Sequence, residues 1–63
     1  PDLATSLVNL ALLYEDWGRE EEARQFYQRA LGIDVRILGH DHPTTLSIQD
    51  HYTTLLRRMN EED

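Results

Sequence analysis

The chain contains no cysteine and no lysine, and each absence removes a class of structure or partner. Without cysteine there are no disulfides and no thiolate metal sites, two of the usual supports of a small domain. A reducing, cytoplasmic compartment fits that composition. All six cations are arginines, set against twelve carboxylates for a net charge of −6. Such a balance repels a phosphate backbone, so no nucleic-acid partner is expected. No apolar run approaches the roughly 18 residues of a membrane helix, and no basic stretch followed by an apolar one marks a signal peptide. No membrane partner is expected, and the chain should be soluble. No serine, cysteine or glycine-rich loop offers a nucleophile site or a phosphate cradle. With 63 residues, a domain buries only about 60% of the surface its unfolded chain exposes, so one modest core is the most it can build. The sequence opens on Pro1 rather than methionine, which suggests a piece of something longer.

What is present is helical periodicity. Leu3, Leu7, Leu10, Ala11 and Tyr14 recur at spacings of three and four, while Val8, Leu12 and Leu13 widen the stripe. The pattern predicts a helix over about 3–16 that is buried on more than one side. Asp2 suits its N-cap, and Gly18 supplies a turn after Asp16 and Trp17. A second helix, over about 20–38, opens on Glu20, Glu21 and Glu22, which favour the positive end of the macrodipole, and Glu20 is placed to pair with Arg24. Its apolar face is Ala23, Phe26, Tyr27, Ala30, Leu31, Ile33, Ile37 and Leu38, and Gly39 ends it. Pro43 suits the first position of a third helix carrying Leu46, Tyr52, Leu55, Leu56 and Met59. Arg57 and Arg58 fall in its last turn and Asn60 stops it, leaving Glu61, Glu62 and Asp63 as a fraying acidic tail.

Pro43 lies 42 residues after Pro1, and at that offset Thr5 falls on Ser47, Leu10 on Tyr52, Leu13 on Leu55 and Tyr14 on Leu56. Self-similarity at such a period marks a stacked array, because each helical hairpin leaves an apolar face that the next hairpin covers. Leu7, Leu10, Ala11, Tyr14, Ala23, Tyr27 and Ala30 resemble the large and small positions of the tetratricopeptide signature. Ala11 and Ala23 would allow close approach within the hairpin, and Ala30 would allow it toward the following helix. The proline that often closes a unit of about 34 residues is absent, and the helix runs on to Leu38. This 42-residue period, with Asn9-Leu10-Ala11 in the first helix, is similar to the version in kinesin light chains and bacterial multi-repeat proteins. The resemblance covers about residues 1–59. Gln49 and Thr53 stand where the first unit has Leu7 and Ala11, so the third helix departs from the pattern as an uncovered terminal helix would.

The resemblance implies an all-α fold: an antiparallel helical hairpin plus one further helix, a fragment of a right-handed superhelical solenoid. Residues 1–42 would form one complete unit and 43–60 the first helix of the next unit or a C-terminal capping helix. It also implies a concave groove lined by the first helix of each hairpin. Thr5, Val8, Asn9, Leu12 and Asp16 would face it, with counterparts one repeat later at Ser47, Asp50, His51, Thr54 and Arg58. Asn9 is the leading candidate, since the family's matching asparagine bonds the backbone of an extended peptide and an amide both donates and accepts. The expected function is a protein-interaction scaffold segment with a protein or peptide partner and neighbouring units. The rival is a capping or self-association segment with no ligand of its own, and the isolated chain is expected to self-associate.

Other constellations are weaker. His40, Asp41 and His42 carry zinc-ligating groups, but adjacent loop residues rarely converge on one ion and no fourth ligand is evident. Glu15 with Asp16, and Glu20 to Glu22, fall at helix ends next to water, where carboxylates are poorly tuned for acid and base work. No catalytic residue, cofactor or metal is expected, and the chain is not expected to be an enzyme. Trp17 stands at a turn, where contact with a partner and packing on the hairpin are both open.

Overall fold

The computed structural model describes residues 2–61, which fold into three helices: α1, Leu3–Asp16; α2, Glu20–Ile37; and α3, Pro43–Glu61. Each boundary has a local cause. The Asp2 carboxylate accepts the Thr5 amide at 2.8 Å and caps α1, and these hydrogen bonds hold its own carboxyl below the usual carboxylate range. At the far end Gly18 takes φ +78°. The Gly18 amide donates to Glu15 at 3.0 Å and the Arg19 amide to Tyr14 at 2.8 Å, the paired bonds of a Schellman turn. Gly39, at φ +92°, closes α2 in the same left-handed region, and its amide reaches the Asp34 and Val35 carbonyls at 3.1 Å. Before α3 the His42 imidazole Nδ1 accepts the Thr44 amide at 3.1 Å. The histidine therefore acts as a cap ahead of Pro43.

Helix α2 packs against both α1 and α3, and the three helices share a core along its stripe of Ala23, Tyr27 and Ala30. The core forms in a near and a far cluster along it: Ala4, Leu7, Ala30 and Ile48 in one, and Ala11, Ala23, Tyr27 and Leu55 in the other. Alanines at the contacts let helix axes approach closely. The large side chains Tyr27 and Leu55 are then enclosed completely.

Several expectations about faces are corrected by this packing. Helix α1 buries Ala4, Leu7 and Ala11 alone. Leu3, Leu10, Leu12 and Leu13 are exposed, so α1 is covered on one side, not several. Ile37 and Leu38 are likewise exposed at the end of α2. In α3 the buried residues are Thr45, Ile48 and Leu55, whereas Leu46 and Leu56 face outward. Arg24 pairs with Glu21, not Glu20, while Glu20 receives Arg58 from α3 at 3.3 Å. Helix α3 runs through Asn60 to Glu61. Glu62 and Asp63 of the expected tail lie outside the described residues, as does Pro1.

The repeat offset shows why the faces differ. Residues 42 apart occupy equivalent places in α1 and α3, yet α1 meets α2 through Ala4, Leu7 and Ala11 while α3 meets it through Thr45, Ile48 and Leu55. Their equivalents in α1 are Leu3, Ser6 and Leu13, all exposed. The two helices thus apply different faces of one pattern to α2.

Candidate functional site

The residues expected to face a partner come from both outer helices, and most of them lie along hollows between α1 and α3. Thr5 and Val8 of α1 line a cavity of about 160 Å³ with Ser47 and His51 of α3, joined by Asp34, Thr44 and Ile48. Farther along, Leu12 and Asp16 line a shallower hollow of about 270 Å³ with Glu15 and Arg58. Asn9, Asp50 and Thr54 are exposed but line neither. Val8 is half-buried and packs against both core clusters, so its methyl groups form wall more than contact surface.

Some of these side chains are already held by the chain itself. The Arg58 guanidinium donates to Glu15 at 3.0 Å and to Glu20 at 3.3 Å, bridging the C-terminal part of α3 to the turn between α1 and α2. With Arg58 half-exposed, such pairs position more than they stabilise. Beneath them the Tyr27 hydroxyl donates to Glu15. Burial, and then the bond to Glu15, hold the Tyr27 phenol well above its usual pKa, so it remains a neutral donor. The side chains of Glu15 and Glu20 are only 15% and 12% exposed. They are therefore not the water-facing carboxylates expected from their places at helix ends. The His51 ring lies parallel to Tyr27, with centroids 6.1 Å apart and planes 4° from parallel.

Trp17 is mostly exposed and stands edge-on to Tyr14 at 5.5 Å. Tyr14 stacks on Phe26 at 5.2 Å and carries the Arg19 guanidinium over its ring at 5.5 Å. Trp17 thus packs one edge on the hairpin and leaves the rest of its ring open. Among the described residues no group of three or more His, Asp or Glu side chains converges as a metal site would, and the His42 imidazole is occupied by its cap bond.

The cavity walls include residues that the sequence did not assign to the groove: Asp34, Thr44, Ile48 and Glu15. Asp34 had a signal. It continues the spacing of Ala23, Tyr27 and Ala30 along the buried stripe of α2, where a carboxylate is out of place. Ile48 and Thr44 carried none, since their role follows from which face α3 turns to α2.

A family model described as tetratricopeptide repeat matches residues 2–63. The chain belongs to the tetratricopeptide repeat family. Its helices, packed on α2 with alanines at the contacts, are a fragment of that all-α repeat architecture. Tetratricopeptide repeats generally mediate protein–protein interaction and generally serve as non-catalytic scaffolds. No curated protein and no solved structure matches the chain. Among its described residues no helix of this tetratricopeptide repeat chain is long and apolar enough to cross a membrane.

Proposed function

We propose that the chain is a non-catalytic scaffold segment of a tetratricopeptide array, residues 1–42 being one unit and α3 opening the next or capping the array. It presents the α1–α3 face as part of a concave groove for an extended peptide. The observation that carries this reading is the pair of hollows between α1 and α3, because residues nominated from both repeats meet there: Thr5 and Val8 with Ser47 and His51, and Leu12 and Asp16 with Arg58. The hollows are centred about eight residues apart on α1, or about 12 Å at 1.5 Å per residue. An extended peptide rising about 3.3 Å per residue would span them with roughly four residues. Asn9 lies between them and is exposed, where its amide could pair with a peptide backbone. The net charge of −6 favours a protein or peptide partner over nucleic acid.

The experiment is a selection of binders from a displayed peptide library, followed by affinity measurement on Asn9→Ala. We expect about a tenfold loss of affinity, the size of one good hydrogen bond, with an unaltered melting temperature. Retained affinity with a large drop in melting temperature would place Asn9 in the fold and not in the groove.

A second reading, self-association, is favoured by a different face. Leu3, Leu10, Leu13 and Trp17 form an exposed apolar line on α1. Their equivalents in α3 are Thr45, Tyr52, Leu55 and Met59, which pack on α2. A surface built to receive a helix is open in the isolated chain.

A further inference from the structure

Asp34 is 3% exposed and occupies the stripe of α2 on which Ala23, Tyr27 and Ala30 build the core. A carboxylate in such a place is unfavourable unless something compensates it. Its backbone carbonyl is engaged, accepting the Leu38 amide at 2.8 Å, the Gly39 amide at 3.1 Å and the Thr45 hydroxyl at 3.5 Å. Its carboxylate has no hydrogen-bond or ion-pair partner among the described residues. Yet no buried side-chain polar atom among those residues lacks a partner, so the carboxylate oxygens open onto a hollow that Asp34 lines. One such hollow, bounded by Asp2, Leu3, Ala4, Ile33, Ile37 and Leu38, is walled largely by apolar groups. The other is the 160 Å³ cavity lined by the hydroxyl-bearing residues Thr5, Thr44 and Ser47 together with Val8, Ile48 and His51. That second hollow has the acceptors a cation requires.

We propose that the Asp34 cavity seats a basic side chain, lysine or arginine, of a peptide lying between α1 and α3; this rests on the groove reading above. No arginine of the chain lines the cavity, and its remaining titratable member, His51, is stacked on Tyr27. The buried carboxylate is therefore left for a cation from outside. Hydroxyl oxygens of the lining residues accept N–H bonds, while Val8 and Ile48 flank the methylenes of a long side chain, which favour apolar walls while the charged end finds its partner. The cavity's volume of about 160 Å³ leaves room for a charged head and part of its stem. An acidic side chain would meet Asp34 with no counter-charge, and the net charge of −6 favours a basic segment at longer range.

The test is a chemical-shift titration of the ¹⁵N-labelled chain with blocked pentapeptides Ala-Ala-X-Ala-Ala, X being lysine, arginine, norleucine or glutamate. With the lysine or arginine peptide we expect saturable shifts at the Thr5, Thr44, Ser47 and His51 amides, the stronger of the two identifying the head the cavity prefers. Norleucine, which keeps the stem and removes the charge, should bind at least about tenfold more weakly, and glutamate should give no saturable shift. Asp34→Asn should bring the lysine to norleucine affinity ratio toward one. Because a change at a buried position can unfold the chain, Ser47→Leu, an exposed site lining the cavity, serves as a second variant that fills it and should abolish the same shifts. Norleucine binding as well as lysine would overturn the cation seat while leaving the groove intact, and so would a charge preference that survives in a folded Asp34→Asn or in Ser47→Leu. Absence of saturable shifts on α1 and α3 from all four peptides, up to roughly 10 mM, would overturn the seat and the groove together.

Discussion

Ala11 and Ala23 are both fully buried in one cluster with Tyr27 and Leu55, and the absence of side-chain bulk is what places α1 and α2 so close. Ala11→Leu would insert three carbons where no space exists, and overpacking of this kind costs about 1 to 3 kcal/mol. For a chain of this size that is a large share of total stability. We expect a clearly lower melting temperature by circular dichroism; an unchanged melt would remove Ala11 from the helix contact. The small residues were legible in the sequence because alanine at helical spacing between larger residues marks a place where two helices come close. Glu15 and Asp34 were not. A carboxylate in a sequence reads as solvent-facing by default, and only its neighbours in space reveal the Tyr27 bond of the one and the enclosure of the other.

Helix limits were largely readable because they depend on adjacent residues: a carboxylate ahead of α1, glycines beyond α1 and α2, a proline opening α3. The glycines allow a test at this scale. Gly39 holds φ +92°, and a Cβ added there meets nothing within 4 Å, so Gly39→Ala should cost about 1 to 2 kcal/mol through backbone strain alone. Gly32 lies inside α2 with equally open surroundings, and Gly32→Ala should stabilise by about 0.5 to 1 kcal/mol. Denaturant unfolding of the two variants should therefore move in opposite directions. Equal shifts of the same sign would mean that the left-handed turn at Gly39 does not constrain the helix end. Helix faces were less readable than limits. Leu46 and Leu56 looked like core, and Thr45 and Ile48 did not, because α3 has apolar residues on more than one side and the sequence does not say which side meets α2.

At the scale of the molecule, α1 and α3 each leave a surface open. The α1 line of Leu3, Leu10, Leu13 and Trp17 is equivalent to the face α3 presses onto α2. The outer side of α3 carries a broad hollow of about 570 Å³ lined by Thr53, Leu56, Arg57, Met59 and Asn60. Contiguous exposed apolar surface tends to find a partner, either by head-to-tail stacking or by two-fold pairing of like faces. Sedimentation equilibrium over a concentration series should show association above the 7.4 kDa of one chain. Leu13→Glu, an exposed site, should return the chain to monomer with a stability change within about 0.5 kcal/mol. A monomer at every concentration would defeat the expectation.

The sequence by itself determined the fold class, most of the helix limits, the small residues at the hairpin contact and the family, since these are written in local spacing and in a period of 42 residues. Tertiary structure decided the rest. With α1 and α3 turning different faces to α2, equivalent residues receive opposite burial: Leu13 is exposed and Leu55 enclosed, Ala11 enclosed and Thr53 exposed. The same packing joins Arg58 to Glu15 and Glu20 and brings Asp34 beside Thr5 and Ser47. The physical reason is that periodicity fixes which residues share a face of one helix, whereas the identity of the surface that covers that face depends on residues far away in the chain.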